Sequence, residues 1–161
     1  MSAPIDFYFD FASPYGYLAS EQIDTLATQY GRAVMWHAIV LDAQFQPQGG
    51  MKIPAALMRS DYVLRDIVRS AAYFGITYND PSPQAAHTEH AARAFQWLND
   101  RNPAHARDFA HAVFRAYFVD GRNIAEPAVL LEIADTLKLD REDVSAAFSD
   151  AATKARLKAE I

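Results

Sequence analysis

FDFASPYGYLAS, residues Phe9 to Ser20, decides how this chain folds. A strand-like run stops at a serine, a proline follows, and a helical pattern begins. Pro14 suits the first helical position, where its missing N–H costs nothing, and Ser13 suits the N-cap before it. Upstream, Ile5, Phe7, Phe9 and Phe11 alternate with Asp6, Tyr8 and Asp10, and aromatic residues on both phases predict a strand covered on both faces. Downstream, Tyr17, Leu18, Ile23, Leu26, Ala27 and Tyr30 form the apolar side of one helix, closed by Gly31 in the left-handed region. The apolar run AVMWHAIVL, residues 33–41, then reads as a second buried strand. Strand, helix and strand in this order predict a βαβ unit with parallel strands and a right-handed crossover.

DAQFQPQGGMKIP, residues 42–54, is the clearest break in the chain, with two glycines and two prolines. Beyond it the pattern is helical only, over roughly 54–74, 88–100, 103–119, 127–138, 141–148 and 150–160. Asn102-Pro103 and Glu126-Pro127 have the form of helix starts, Asp140 to Asp143 supplies a cap and an acidic first turn, and Ser149 is placed to cap the last helix. The expected organisation is a βαβ half over residues 1–45 and a helical domain over 46–161. Two parallel strands alone leave open edges and little sheet to cover, so the strands call for partners.

With 161 residues, 51% of them hydrophobic and 22% charged, the composition is that of one globular domain. A net charge of −5 argues against a nucleic-acid-coating protein, which is normally basic. The start MSAPIDF lacks a positive region before an apolar stretch, and no 18 apolar residues run together, so a cytoplasmic protein without a membrane segment is expected. Cysteine is absent, which excludes disulfides, thiolate nucleophiles and dithiol redox chemistry by the chain itself. Sulfur chemistry here requires a bound ligand.

At the Ser13 turn two readings stand side by side. In one the serine only caps the helix; in the other its hydroxyl also donates to a bound anion. His37 lies inside the second strand as a structural histidine. His87 and His90 share a helix face but lack a third ligand or an HExxH pattern, so no metal is expected, and His105 and His111 fall on a polar, alanine-rich helix as solvated residues. Asp10 stands at a strand end as in phosphatases, but Ala12 breaks the DxD continuation. Asp66 and Arg69, three apart on one helix face, are placed to pair. Tyr15 and Tyr17 flank the turn and are candidates to line a pocket for an aromatic ligand, with core packing the alternative for Tyr17.

The run DFYFDFASPYGYLA, with the apolar second strand and helical insertion after it, resembles the 2-hydroxychromene-2-carboxylate isomerase family. That family lies in the DsbA-like thioredoxin superfamily with the kappa-class glutathione transferases. The segments 60–76, 88–124 and 126–148 resemble it too, so the likeness covers essentially the whole chain. The resemblance implies an α/β, thioredoxin-like (DsbA-like) fold: a βαβ unit with a large all-helical insertion. It also implies a glutathione-dependent cis–trans isomerisation of a conjugated hydroxy-aromatic pyruvate, in which Ser13, standing where redox relatives carry the first cysteine of CxxC, stabilises the glutathione thiolate. Ser13, Pro14 and Tyr15 are then the expected glutathione contacts. Lys52, Arg59 and Tyr17 are the expected substrate contacts, although Gly50-Met51-Lys52-Ile53-Pro54 lacks the family's asparagine and Arg59 stands where it has lysine.

The family continues past a helix like AATKARLKAEI into a cis-proline, two strands and a closing helix. The sequence stops at Ile161, so these C-terminal strands are expected to be absent from this chain, with a homodimer covering the open edges. Two alternatives remain open: a kappa-like transferase or oxidoreductase on other electrophiles, and a non-catalytic thioredoxin-like binding domain.

Overall fold

The computed structural model describes residues 3–41, 61–81 and 87–159. Among them the order is β1 (Ile5–Phe9), α1 (Pro14–Ser20), α2 (Ile23–Gln29), β2 (Val34–Ala38), α3 (Asp61–Phe74), α4 (Glu89–Arg101), α5 (Pro103–Phe118), α6 (Pro127–Thr136), α7 (Arg141–Ala147) and α8 (Ala151–Ala159). The two strands pair in parallel, Ile5 opposite Val34 through Phe9 opposite Ala38, as the βαβ reading requires. The break at 42–54 and residues 55–60 of the first expected insertion helix lie outside the described residues.

The chain between the strands differs from the expected single helix. It breaks after Ser20, where Gln22 N bonds Ala19 O at 3.0 Å instead of continuing the helical ladder, and two side chains bond carbonyls of the same turn. The buried Ser20 hydroxyl donates to Tyr17 O at 2.7 Å, and Gln22 Nε2 donates to Leu18 O at 3.0 Å. Back-bonding of this kind loosens and bends a helix. The break rotates α2, so Leu26 and Tyr30, expected to face inward, are exposed. Gly31 ends α2 at φ 61°, the left-handed conformation that glycine adopts without a Cβ penalty, and Arg32 N closes the turn on Ala27 O.

β1 stops at Phe9 because the Asp10 side chain claims the backbone beyond it, accepting from Ala12 N at 2.8 Å. One sheet face is covered. Phe9 is buried against Phe95, Trp36 and Phe114, with ring centroids 5.2, 5.4 and 5.6 Å away. The other face differs from the expectation of burial on both sides: Asp6, Tyr8 and Met35 are exposed, and half-buried His37 stacks on Tyr8 and bonds Asp6 Oδ1 at 3.0 Å.

α4 and α5 pack on the covered face with Phe95, Phe109, Phe114 and Phe118 fully buried, so both parts of the chain share one core. Pro103 and Pro127 occupy first-turn positions, and Asn102 Oδ1 accepts from Ala104 N and His105 N. Asp140 caps α7 as expected, accepting from Glu142 N and Asp143 N. Two expectations are corrected. Asp150, not Ser149, caps α8, accepting from Thr153 N at 2.6 Å, since a carboxylate one residue nearer reaches the first-turn N–H. Glu126 precedes Pro127 in extended conformation without a side-chain cap, its carboxylate instead holding Asn123 Nδ2.

Candidate active site

The turn from β1 into α1 is organised by short-range bonds. Asp10 O accepts from Ser13 N at 2.9 Å, and Ser13 O accepts from Tyr17 N at 3.0 Å as the first helical bond. Ser13 takes the extended conformation of an N-cap, φ −87° and ψ 113°, and its Oγ accepts from Gly16 N at 3.1 Å. Capping therefore holds. It does not exhaust the hydroxyl: an oxygen that accepts an N–H retains its own proton to donate. Ser13 is half-buried. Gly16 makes the close approach possible, since a Cβ there would stand 3.3 Å from Ser13 Cβ and 3.4 Å from Asp10 O.

Pro14 is half-buried and Tyr15 is 45% exposed beside it. The Tyr15 hydroxyl donates to Asp66 Oδ2 at 2.7 Å, and Arg69 Nη2 donates to the other carboxylate oxygen at 3.3 Å. The expected Asp66–Arg69 pair thus forms, and extends to the first turn of α1. Partial burial first, then the Asp66 hydrogen bond and charge, push the Tyr15 phenol up to about 12.

Tyr17 is resolved in favour of the core. It is 1% exposed, stacked on Phe118 at 5.3 Å, and its hydroxyl donates to Thr77 O at 2.8 Å. Burial, followed by the charge of Glu21, raises its pKa. Lys52 and Arg59 lie outside the described residues. His87 is exposed, half-buried His90 packs on Phe148, and no His, Asp and Glu cluster able to hold a metal occurs among the described residues. His105 is exposed as expected. His111 is not: it lies against the Trp36 ring with Nδ1 3.3 Å from Glu21 Oε1, a contact made by the turn at the α1–α2 break.

Sequence reasoning missed Asp10. It is 4% exposed and draws on three segments: Ala12 N in the turn, Leu41 N after β2 at 2.7 Å, and Thr88 Oγ1 before α4 at 2.9 Å. The failed DxD pattern hid the simpler signal, an aspartate two residues before a backbone N–H at a strand end.

A family model, the DSBA-like thioredoxin domain, matches residues 4–161. The chain belongs to this family. Over 75 residues it is 37% identical to 2-hydroxychromene-2-carboxylate isomerase of Pseudomonas putida, a stretch that is 45% of this chain and 36% of the relative. Over 79 residues it is 37% identical to Glutathione S-transferase kappa 1 of Caenorhabditis elegans, 48% of this chain and 34% of that protein. The matched stretches thus span about a third of each curated relative's length. The solved structure of a 2-hydroxychromene-2-carboxylate isomerase superposes with TM-score 0.78 at 25% identity, covering 99% of this chain and 77% of the other. The cytosolic disulfide reductase DsbM of Pseudomonas aeruginosa with GSH gives 0.67 at 23% identity, covering 96% of this chain and 74% of that one. The DsbA-like thioredoxin fold expected from the sequence is thereby established. Among the described residues, no helix is long and apolar enough to cross a membrane.

Proposed function

We propose that this chain carries out a glutathione-dependent cis–trans isomerisation of the 2-hydroxychromene-2-carboxylate type, with Ser13 stabilising the glutathione thiolate. The single observation that carries the reading is the Ser13 hydroxyl: its oxygen accepts from Gly16 N, and among the described residues its own proton has no acceptor. The P. putida relative is named for this reaction and the C. elegans relative for glutathione, while this chain owns no thiol. The residues present fit the cofactor. Gly16 leaves the space that a Cβ would narrow around Ser13, and an alcohol donor is the group a sulfur anion needs.

Glutathione, if bound, would supply a thiolate nucleophile for reversible addition to the conjugated system, and Ser13 would hold that sulfur. The Ser13 hydroxyl would stabilise that anion by donating its proton. One pKa unit of thiol depression corresponds to about 1.4 kcal/mol, the size of a charge-assisted hydrogen bond. Pro14 and Tyr15 form the adjoining surface. The Tyr15 hydroxyl faces Asp66 and stays protonated near neutrality, so the ring acts as a wall and not as a base. Lys52 and Arg59 are proposed to hold the substrate carboxylate. The reading extends to a homodimer in the cytoplasm acting in aromatic catabolism, with residues 1–45 and 46–161 as its two units. The homodimer alone is supported by the sheet's exposed face, and sedimentation of the purified chain tests it.

Calorimetric titration of glutathione into the wild-type chain and Ser13→Ala tests the cofactor reading. Binding to the wild type, weakened about tenfold in the variant, is expected; equal affinity for both sinks the serine's role. Ultraviolet monitoring of a hydroxychromene carboxylate with and without glutathione tests the reaction. Glutathione binding without turnover of that substrate instead favours a kappa-like transferase, the reading that the C. elegans relative supports.

A further inference from the structure

Thr88 sits where a helix cap belongs and does not cap. It immediately precedes α4, yet its side chain makes no bond to its own helix, and φ −93° with ψ 2° departs from the extended geometry of a capping residue. It is 3% exposed, and its hydroxyl donates instead to Asp10 Oδ1 at 2.9 Å, across 78 positions of sequence. The same oxygen accepts from Ala12 N at 2.8 Å, and the Asp10 carbonyl accepts from Ser13 N at 2.9 Å. Asp10 Oδ2 accepts from Leu41 N at 2.7 Å, so the end of β2 is drawn to the same carboxylate.

From this geometry we infer that Thr88 and Asp10 are a positioning pair for Ser13, tying the helical part of the chain to the turn that aims the Ser13 hydroxyl. Resting on the glutathione reading above, the pair sets how well Ser13 meets a thiolate, while neither residue touches the ligand. A buried hydroxyl diverted from its local cap leaves first-turn N–H groups of α4 without it, a local loss that the bond to Asp10 offsets. The connection is specific in direction. Asp10 holds the N–H groups of Ala12 by side chain and of Ser13 by backbone, so a displaced carboxylate shifts both residues together.

The test compares Thr88→Val, which keeps the shape and removes the donor, with Thr88→Ser, which keeps the donor. Without glutathione, amide hydrogen exchange at Ala12, Ser13 and Gly16 is expected to quicken roughly two- to tenfold in Thr88→Val, the range for losing one buried hydrogen bond. Thr88→Ser should match the wild type. With glutathione, the dissociation constant should rise by a similar factor in Thr88→Val, and the bound thiol, followed by thiolate absorbance against pH, should titrate higher. Unchanged exchange in Thr88→Val overturns the inference, as does Thr88→Ser behaving like Thr88→Val, which would assign the effect to the methyl. Should Thr88→Val fail to fold, Thr88→Ala deletes the same hydroxyl and is read identically. A wild-type chain that binds no glutathione overturns the proposed function instead, and the exchange experiment still judges the positioning pair.

Discussion

On the proposed reading Ser13 holds a thiolate as well as capping α1, and one substitution can separate the two. Removing the side chain as Ser13→Ala deletes the cap as well as the donor, and should lower stability by about 1 kcal/mol in urea denaturation. Ser13→Asp retains a good capping oxygen but sets a negative charge against a sulfur anion. It should keep wild-type stability within about 0.5 kcal/mol and lose glutathione binding. Tyr15 offers a second test. Its phenol is raised to about 12 from 10.0, so the folded state holds this proton more tightly than the unfolded chain. The associated stability is complete below pH 10 and is lost as pH rises from 10 toward 12. The phenolate difference spectrum of wild type minus Tyr15→Phe should titrate near 12, and Asp66→Ala should move it back toward 10.

At the scale of elements, the seven-residue α1 ends where Gln22 N turns to Ala19 O, with the Ser20 and Gln22 side chains bonded to carbonyls of its last turn. Ser20→Ala should cost about 1 kcal/mol by calorimetry, since it removes a buried donor from the Tyr17 carbonyl. Gly16→Ala normally stabilises a helix by roughly 0.5–1 kcal/mol. Here that gain should be absent, because the new Cβ would press Ser13 Cβ at 3.3 Å and the Asp10 carbonyl at 3.4 Å. Elements with local signatures were legible in the sequence: the aromatic alternation of β1, Ser13-Pro14, Gly31, Asn102-Pro103 and Asp140. Where a local signal was shared between neighbours, it misled. Ser149 and Asp150 both have capping side chains, and only the fold decides that Asp150 reaches Thr153 N. The α1–α2 break was hidden because 3.6-residue periodicity runs across it, although Leu26 and Tyr30 end outside.

Across the whole molecule, the aromatic layer joins the strands to the helices. Phe114 lies 5.6, 5.1 and 5.9 Å from Phe9, Phe11 and Tyr17, so it touches the strand, the turn and α1 at once. Phe114→Ala should cost about 3–5 kcal/mol in urea denaturation, a large share of an ordinary domain's stability. Much of the candidate site was illegible for a related reason. Tyr15 meets Asp66 across 51 positions and Asp10 meets Thr88 across 78, and neither link leaves a periodic or local trace. Tyr17, by contrast, had two open readings in sequence, and only its place against Phe118 and Thr77 chooses between them.

The diverted threonine before α4 bears on attempts to engineer a sturdier variant. A designer following helix-capping preferences would exchange Thr88 for aspartate, and for this helix alone the choice is sound. In this molecule it would set two carboxylates face to face in a sealed interior, so the improvement sought in one helix would be undone at the junction with the first strand.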